Sequence, residues 1–305
     1  MRHTRHDAGL DQMDDMLTEQ VDPRYGQIDG ASVAHLAQLM NAADATVPAA
    51  VLAAMDQIVP AIEAVAERLA RGGRLLYVGA GSAGRIGVLD AAECAPTFST
   101  PPDLVQGIIA GGPEAMFTAS ENAEDDGHAG EQAIADHAVT AADAIVGIAA
   151  SGRTPFVLGA IRAARSRGAL TVSLSCNAGA PLSSEAEFPI EVLVGPEVVA
   201  GSTRLKAGTA QKLVRNTIST IAMVRLGKTY GNLMVDLRAT NAKLRERAVR
   251  IVRIATGVDR ERAEAALQQA DLDVKLAVLI AGRGLDVEEA RRRLAAVNGR
   301  LRAAL

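Results

Sequence analysis

"LLYVGAGSAGRIGVLDAAEC", residues 75–94, is the stretch on which the fold turns. Its apolar half reads as a buried strand. It then breaks into Gly79, Gly81 and Gly84, a G-x-G-x-x-G run that opens a helix. A glycine turn before a helix aims unpaired backbone N–H groups and the positive end of the helix dipole at an anion. A dinucleotide site needs more: a carboxylate at the end of the second strand to hold the ribose hydroxyls. Asp103 lies at about the right separation but precedes the strand expected at 104–109, and that strand runs out into "IIAGG" with no carboxylate. The glycine loop is therefore read as part of a cradle for another phosphate.

Outward from this stretch, short apolar runs rich in β-branched residues recur at 74–78, 104–109, 143–149, 170–175 and 190–194. Helical patterns at 84–93, 113–125, 130–138 and 155–167 separate most of them. Apolar strands alternating with helices predict an α/β fold with a parallel, doubly wound sheet, whose ligands bind at the carboxyl ends of the strands. Before the sheet, residues 1–30 are polar and read as an extended arm. A helix follows Ser32 as cap, and a further helical run over 48–70, with Pro60 as a candidate break, stops at Gly72 and Gly73. After the sheet, a glycine-rich loop leads into a long helix, and helical sequence continues to Gly257. The patterns "DRERAEAALQQA", "DLDVKLAVLIAG" and "DVEEARRRLAAVNGRL" each open on an Asp and predict a small three-helix bundle from about 258. The expected organisation is an N-terminal arm and helices over 1–64, a ligand-binding domain over 65–228 and a C-terminal helical region over 229–305.

Composition sets the bounds. The 305 residues are 49% hydrophobic but only 2% aromatic, so the core is built from Ala, Val, Leu and Ile. A net charge of −4, with no basic and aromatic surface pattern, gives no footing for nucleic acid. The start of the chain lacks the apolar stretch of a secretory signal, and no apolar run approaches a membrane span. Cys94 and Cys176 form no C-x-x-C pair, and the five histidines show no metal-ligand spacing. A reduced, cytoplasmic setting with no metal and no membrane partner is expected.

Two further loops repeat the chemistry of the first. "AASGRTP", residues 149–155, places Ser151, Gly152 and Thr154 after the third expected strand. "GSTRLKAGT", residues 201–209, supplies Ser202, Thr203, Lys206 and Thr209. With Gly81 and Ser82 they make three hydroxyl-rich loops, each of which alone could be a capped helix start; together they favour a phosphorylated small molecule.

These blocks carry a resemblance. "GRLLYVGAGSAGRIGVLDAAECAPTF", "GIAASGRTPFV", "PEVVAGSTRLKAGTAQKLV" and "GKTYGNLMVDLRATNAKLRERAVRIV" closely resemble the N-acetylmuramic acid 6-phosphate etherase (MurQ) family, from about residue 18 to the C-terminus. The resemblance implies the sugar isomerase (SIS) fold, a flavodoxin-like five-stranded parallel sheet flanked by helices, and a homodimer. It implies a lyase that cleaves the D-lactyl ether of N-acetylmuramic acid 6-phosphate to N-acetylglucosamine 6-phosphate and D-lactate, by elimination then hydration, in recycling of cell-wall amino sugars. No metal or redox cofactor is implied. By match to the family motifs, Glu93 is the acid that protonates the departing lactyl oxygen and Glu124 the base at C2. Read without the family, Glu93 is a carboxylate at a helix end, where the dipole disfavours it, and Glu124 belongs to a solvated acidic face with Glu121, Asp125 and Asp126. Glu121, one helical turn before Glu124 in that reading, is the natural decoy.

Phosphate contacts are expected from Gly81, Ser82, Ser151, Gly152 and Thr154, with Ser202 and Lys206 from the third loop. The chain departs from the family's G-T-S-G-R at Gly81-Ser82-Ala83-Gly84-Arg85: Ser82 keeps a hydroxyl and Ala83 loses one. A higher KM with intact chemistry is expected. Ala95 for Pro, Asn122 for Gly and Leu205 for Met are milder changes. Two other functions share the fold: a non-catalytic phosphosugar-binding regulator, like the SIS halves of glucokinase regulatory protein, and a phosphosugar isomerase.

Overall fold

The computed structural model describes residues 16–118, 120, 122–237, 239 and 241–305. Its chain divides into two compact units, residues 16–91 with 105–218 and residues 92–104 with 219–305.

The first unit holds a five-stranded sheet of β1 (Leu75–Gly79), β2 (Val105–Ile109), β3 (Ala144–Ile148), β4 (Leu170–Ser175) and β5 (Phe188–Glu191). All neighbours are parallel and the order is β2-β1-β3-β4-β5. Strands β1, β3 and β4 are buried along their whole length, as a parallel sheet covered on both faces requires. Alternate side chains divide between the faces. Leu76 and Val78 join a core with Ile145, Phe156, Val157, Ile161, Ile134 and Leu182. That core is roofed by α5 (Gly127–Asp136), α6 (Pro155–Ser166) and α7 (Pro181–Glu185). Tyr77 points the other way and meets Gly87 of α4 (Gly81–Phe98), while its hydroxyl donates to the Arg215 carbonyl of α8 (Lys206–Arg225).

Ahead of the sheet lie α1 (Val33–Asp44), α2 (Val47–Ala53) and α3 (Met55–Ala70). Ser32 caps α1, its hydroxyl accepting from the His35 N–H. The run over 48–70 does break, but at Ala54, with a 65° bend, and not at Pro60. Pro60 sits inside α3 on its exposed side, as does Asp56, whose carbonyl it leaves without an N–H donor and which water can serve. The expected arm falls partly on residues 1–15, outside the described residues; residues 16–30 form short turns, including the 3-10 turns Pro23–Tyr25 and Ile28–Gly30. Among the described residues no single helix is long and apolar enough to cross a membrane; the bent pair 33–53 and 55–70 meets that length and composition only when taken together.

One expected helix is absent. Residues 113–125 form two 3-10 turns, Pro113–Met116 and Ala123–Asp125. Gly111 and Gly112 at positive φ lead in, and Asn122 sits in the left-handed region at φ +67°. The segment has good helix formers but no apolar stripe to bury: Ala115 is buried while Phe117 is 92% exposed. Propensity without a packed face does not sustain a short helix.

In the second unit, α9 (Ala242–Thr256), α10 (Arg260–Gln269), α11 (Val274–Arg283), α12 (Val287–Ala296) and α13 (Leu301–Ala304) share one apolar core. Asp259, Asp273 and Asp286 cap three of these helices, each accepting from the N–H three residues on. The expected three-helix bundle thus packs with α9 as well, because Ala248, Ile251 and Val252 belong to the same core. Two buried free thiols are described, Cys176 in the first unit and Cys94 in the second.

Candidate functional site

The order of the sheet reverses between β1 and β3, where the chain leaves adjacent strands in opposite directions and opens a crevice at their carboxyl ends. A cavity of about 430 Å³ occupies that crevice. Ala80, Gly81, Ser82 and Ala83 line it after β1, and Ala149, Ala150, Ser151, Arg153, Thr154 and Pro155 line it after β3.

Local sequence shapes both loops. In the first, Gly79 and Gly84 face each other: a Cβ on Gly79 would lie 2.7 Å from the Gly84 nitrogen, and one on Gly84 would lie 2.7 Å from the Gly79 oxygen. Their bareness lets the first turn of α4 sit on the end of β1, and Gly81, at φ +52°, makes the turn. Half-buried Ser82 is thereby fixed in the first turn of α4, facing the cavity.

In the second loop, the Gly152 N–H donates to the Ala149 carbonyl at 3.0 Å and the Gly152 carbonyl accepts from Leu182 at 2.9 Å. Gly152 has φ +65°, and an added Cβ would lie 2.4 Å from Cβ of Ala180. The Ser151 hydroxyl accepts from the Arg153 N–H at 3.2 Å. Thr154 is the N-cap of α6 yet makes no side-chain capping bond, which leaves its hydroxyl for the cavity it lines. The amino-terminal turns of α4 and α6 thus converge on one space, with hydroxyls between them. Their dipoles favour an anion there.

Glu124 lines the same cavity, exposed on the 3-10 turn Ala123–Asp125, with Asp125 beside it. The left-handed Asn122 turns the chain into that position. Asn is, with Asp, the side chain that visits this conformation most readily after Gly. Glu121, the expected decoy, lies outside the described residues. Glu93 is exposed on α4, eleven residues and about three turns after Ser82, and is not among the residues lining the cavity.

The third loop divides. Gly201 and Thr203 reach the cavity, and so does Gln211, one and a half turns into α8. Ser202 and Lys206 do not line it. The amino terminus of α8 already has an anion: the buried Glu197 carboxylate accepts from the N–H groups of Lys206 and Ala207, both at 2.9 Å. The Lys206 ammonium donates to the Val194 carbonyl at 2.6 Å and lines a separate cavity with Arg24 and Tyr25. Burial holds its pKa below the ordinary lysine value, against the pull of Glu197.

Arg85 is likewise absent from the lining, and its Nε donates to the Met116 carbonyl at 3.2 Å, tying α4 to the 113–117 turn. Glu19 lines the cavity, and nothing in the sequence marked it. Among the described residues, no three His, Cys, Asp or Glu side chains gather where a metal ion could bind.

Comparison with known proteins bears directly on this arrangement. Residues 57–165 match the glucokinase regulatory protein N-terminal SIS domain, 124–220 match the SIS domain, and 231–275 match the C-terminal lid domain of glucokinase regulatory protein. A phosphoheptose isomerase from Francisella tularensis has the same fold, with a TM-score of 0.50 at 20% identity, over 64% of this chain and 99% of that one. An N-acetylmuramic acid 6-phosphate etherase from Rubrobacter xylanophilus is 56% identical over 97% of both chains. One from Streptomyces avermitilis is 55% identical over 96% of this chain and 94% of its own, and one from Salmonella typhi is 50% identical over 95% and 98%. At that identity over nearly the full length, the chain belongs to the N-acetylmuramic acid 6-phosphate etherase family.

Proposed function

We propose that the cavity between β1 and β3 is where this etherase, a carbon–oxygen lyase, cleaves the D-lactyl ether of N-acetylmuramic acid 6-phosphate. The observation that carries the reading is the pairing in one crevice of two helix amino termini, bearing Ser82, Ser151 and Thr154, with the carboxylate of Glu124. The first set suits a phosphate and the second a proton transfer.

An ether resists cleavage because an alkoxide leaves badly. Opening the sugar ring exposes an aldehyde at C1, which acidifies the C2 proton and places the lactyl oxygen at C3 β to a carbonyl. Glu124 as carboxylate takes the C2 proton. The electron pair forms the C2–C3 double bond, the C3–O bond breaks, and an acid delivers a proton to the departing lactate. Water then adds across the double bond at C3, with the two groups exchanging roles. Each positioned proton-transfer group contributes roughly 10²–10⁴-fold.

The 6-phosphate, remote from the breaking bond, anchors the open chain on the Gly81–Ser82 and Ser151–Thr154 loops; Gly152, expected as a contact, is not among the lining residues and keeps its N–H on the Ala149 carbonyl, so it shapes the loop instead. Ala83 lines the cavity and offers no hydroxyl where the family motif G-T-S-G-R implies a serine, which supports the reading that one phosphate contact is lost there. The acid role of Glu93 rests on the family motif. Ser202 and Lys206, expected as further contacts, would have to turn toward the cavity to serve.

A homodimer is supported by apolar side chains that one copy leaves uncovered: Leu52 on α2, Val59 on α3, and Ile221 and Val224 on α8. A reducing, cytoplasmic setting fits two free buried thiols. The test is incubation with N-acetylmuramic acid 6-phosphate and detection of D-lactate. Binding without release would mean a regulator, and turnover of a hexose 6-phosphate alone would mean an isomerase.

A further inference from the structure

Besides the phosphate loops and the turn that carries Glu124, the cavity is lined by Glu19, Gly201, Thr203 and Gln211, and the Glu19 carboxylate is unexplained. Glu19 is half-buried, and among the described residues its side chain makes no hydrogen bond or ion pair.

Yet the segment that carries it is held firmly. Thr18 is fully buried, and its hydroxyl accepts from the Asn177 amide at 3.1 Å. The same Asn177 nitrogen donates at 2.9 Å to the carbonyl of Ala150, in the second phosphate loop. The Thr18 carbonyl accepts from the Gly201 N–H at 3.1 Å. Gly201 stands at φ +74°, which favours glycine, and the point where its Cβ would be lies 2.8 Å from Oε2 of Glu19. Two loops of the site are thus tied to the residue beside Glu19, while its carboxylate is left unpaired.

We propose that Glu19 is a substrate-binding carboxylate that accepts hydrogen bonds from the sugar portion of the phosphosugar, its hydroxyls or its acetamido N–H. This rests on the phosphosugar reading of the cavity. An ionised carboxylate repels a phosphate dianion, so Glu19 serves the end of the ligand away from the phosphate. As an acceptor only, it requires donors, and sugar hydroxyls and an amide N–H supply them. Gln211, which lines the same cavity, is 1% exposed, and among the described residues its amide nitrogen has no hydrogen-bond partner. An acceptor and a donor in one cavity match hydroxyls, which do both.

The experiment is calorimetric binding of N-acetylglucosamine 6-phosphate and of inorganic phosphate to the full chain, native and Glu19→Gln. Gln is isosteric and the site half-exposed, so folding is preserved. The sugar phosphate should bind about tenfold more weakly to the variant, the loss of a charge-assisted bond, with inorganic phosphate unchanged or slightly tighter. Thr18→Val, which removes the hydroxyl contact to the Asn177 amide while the 3.4 Å bond from the Thr18 N–H to Asn177 Oδ1 remains, should weaken the sugar phosphate selectively too, by a smaller factor. A merely structural role would lower the melting temperature without changing the ratio of the two affinities. Equal binding of the sugar phosphate by native and Glu19→Gln chains overturns this assignment alone, as does an equal loss for both ligands. No binding of the sugar phosphate by the native chain overturns it together with the phosphosugar reading.

Discussion

Gly152→Ala should damage both the fold and the catalyst, by an amount the structure allows one to work out. Two costs add. The residue stands at φ +65°, where a Cβ costs roughly 1–2 kcal/mol. The new methyl would also lie 2.4 Å from Cβ of Ala180, whereas carbon atoms rest at about 3.5–4.0 Å, so the loop must retreat by about 1 Å. Forcing an extra methyl into packed space costs about 1–3 kcal/mol. The sum is about 2–5 kcal/mol.

The retreat is not local, because Gly152 is held at both ends, to Ala149 and to Leu182, and carries Ser151 and Thr154 on its flanks. A displacement of about 1 Å in a positioning group can cost about 10² in rate, so kcat/KM for lactate release should fall by that order. Gly81→Ala is the control. It has φ +52° but no atom within 4 Å of the new Cβ, so it bears only the conformational cost of roughly 1–2 kcal/mol. Urea unfolding of both variants, with lactate assays alongside, separates strain from collision. If Gly152→Ala is no less stable than Gly81→Ala and keeps native kcat/KM, the loop is not seated against Ala180, and the argument for a rigid cradle fails.

Other outcomes are as definite. Glu124→Gln and Glu93→Gln should each lower kcat for lactate release by roughly 10²–10⁴-fold, and near-native turnover in either removes that residue from the chemistry. Ala83→Ser should restore a phosphate contact and lower KM about tenfold at unchanged kcat; an unmoved KM refutes the reading of that position. Asp143→Asn should destabilise the first unit by roughly 1.5–3 kcal/mol, measured by urea unfolding at neutral pH. Burial alone would raise the Asp143 pKa, but the Arg74 guanidinium and the N–H groups of Thr140 and Arg74 outweigh it and hold the carboxyl below its usual range. A lowered folded-state pKa gives stability that is complete above the unfolded-state value of about 3.9 and is lost as pH falls through the folded one. The gap between native and variant should therefore be constant from pH 7 to 5 and close below about pH 4.

The sheet was legible because its signals are local. Buried parallel strands are continuous apolar runs, and the Asp caps of α10, α11 and α12 stand next to the helices they start. What escaped was settled by distant contacts. "PEAMFTASENAEDD" has helix-forming composition, but nothing in it reveals that Phe117 has no surface to bury against. In the third glycine loop the hydroxyls and Lys206 resembled another anion site. Only the fold shows that Glu197 already occupies that helix end, nine residues upstream of the N–H it binds. Glu19 gave no signal because its position depends on Asn177, 159 residues from its neighbour Thr18. Of the two glutamates matched to the family, Glu124 lines the cavity of the first unit, while Glu93 belongs to the second unit.

The two cysteines turn the molecule into its own recorder of opening. Cys176 is shielded completely, and burial pushes its thiol up to about 12, so the folded chain holds it protonated and unreactive. Cys94 is 3% exposed, and the two thiols belong to different compact units. Alkylation can reach each sulfur only when the structure around it loosens. The order in which two modified peptides accumulate therefore dates the opening around one thiol against that around the other, with no probe added to the sequence.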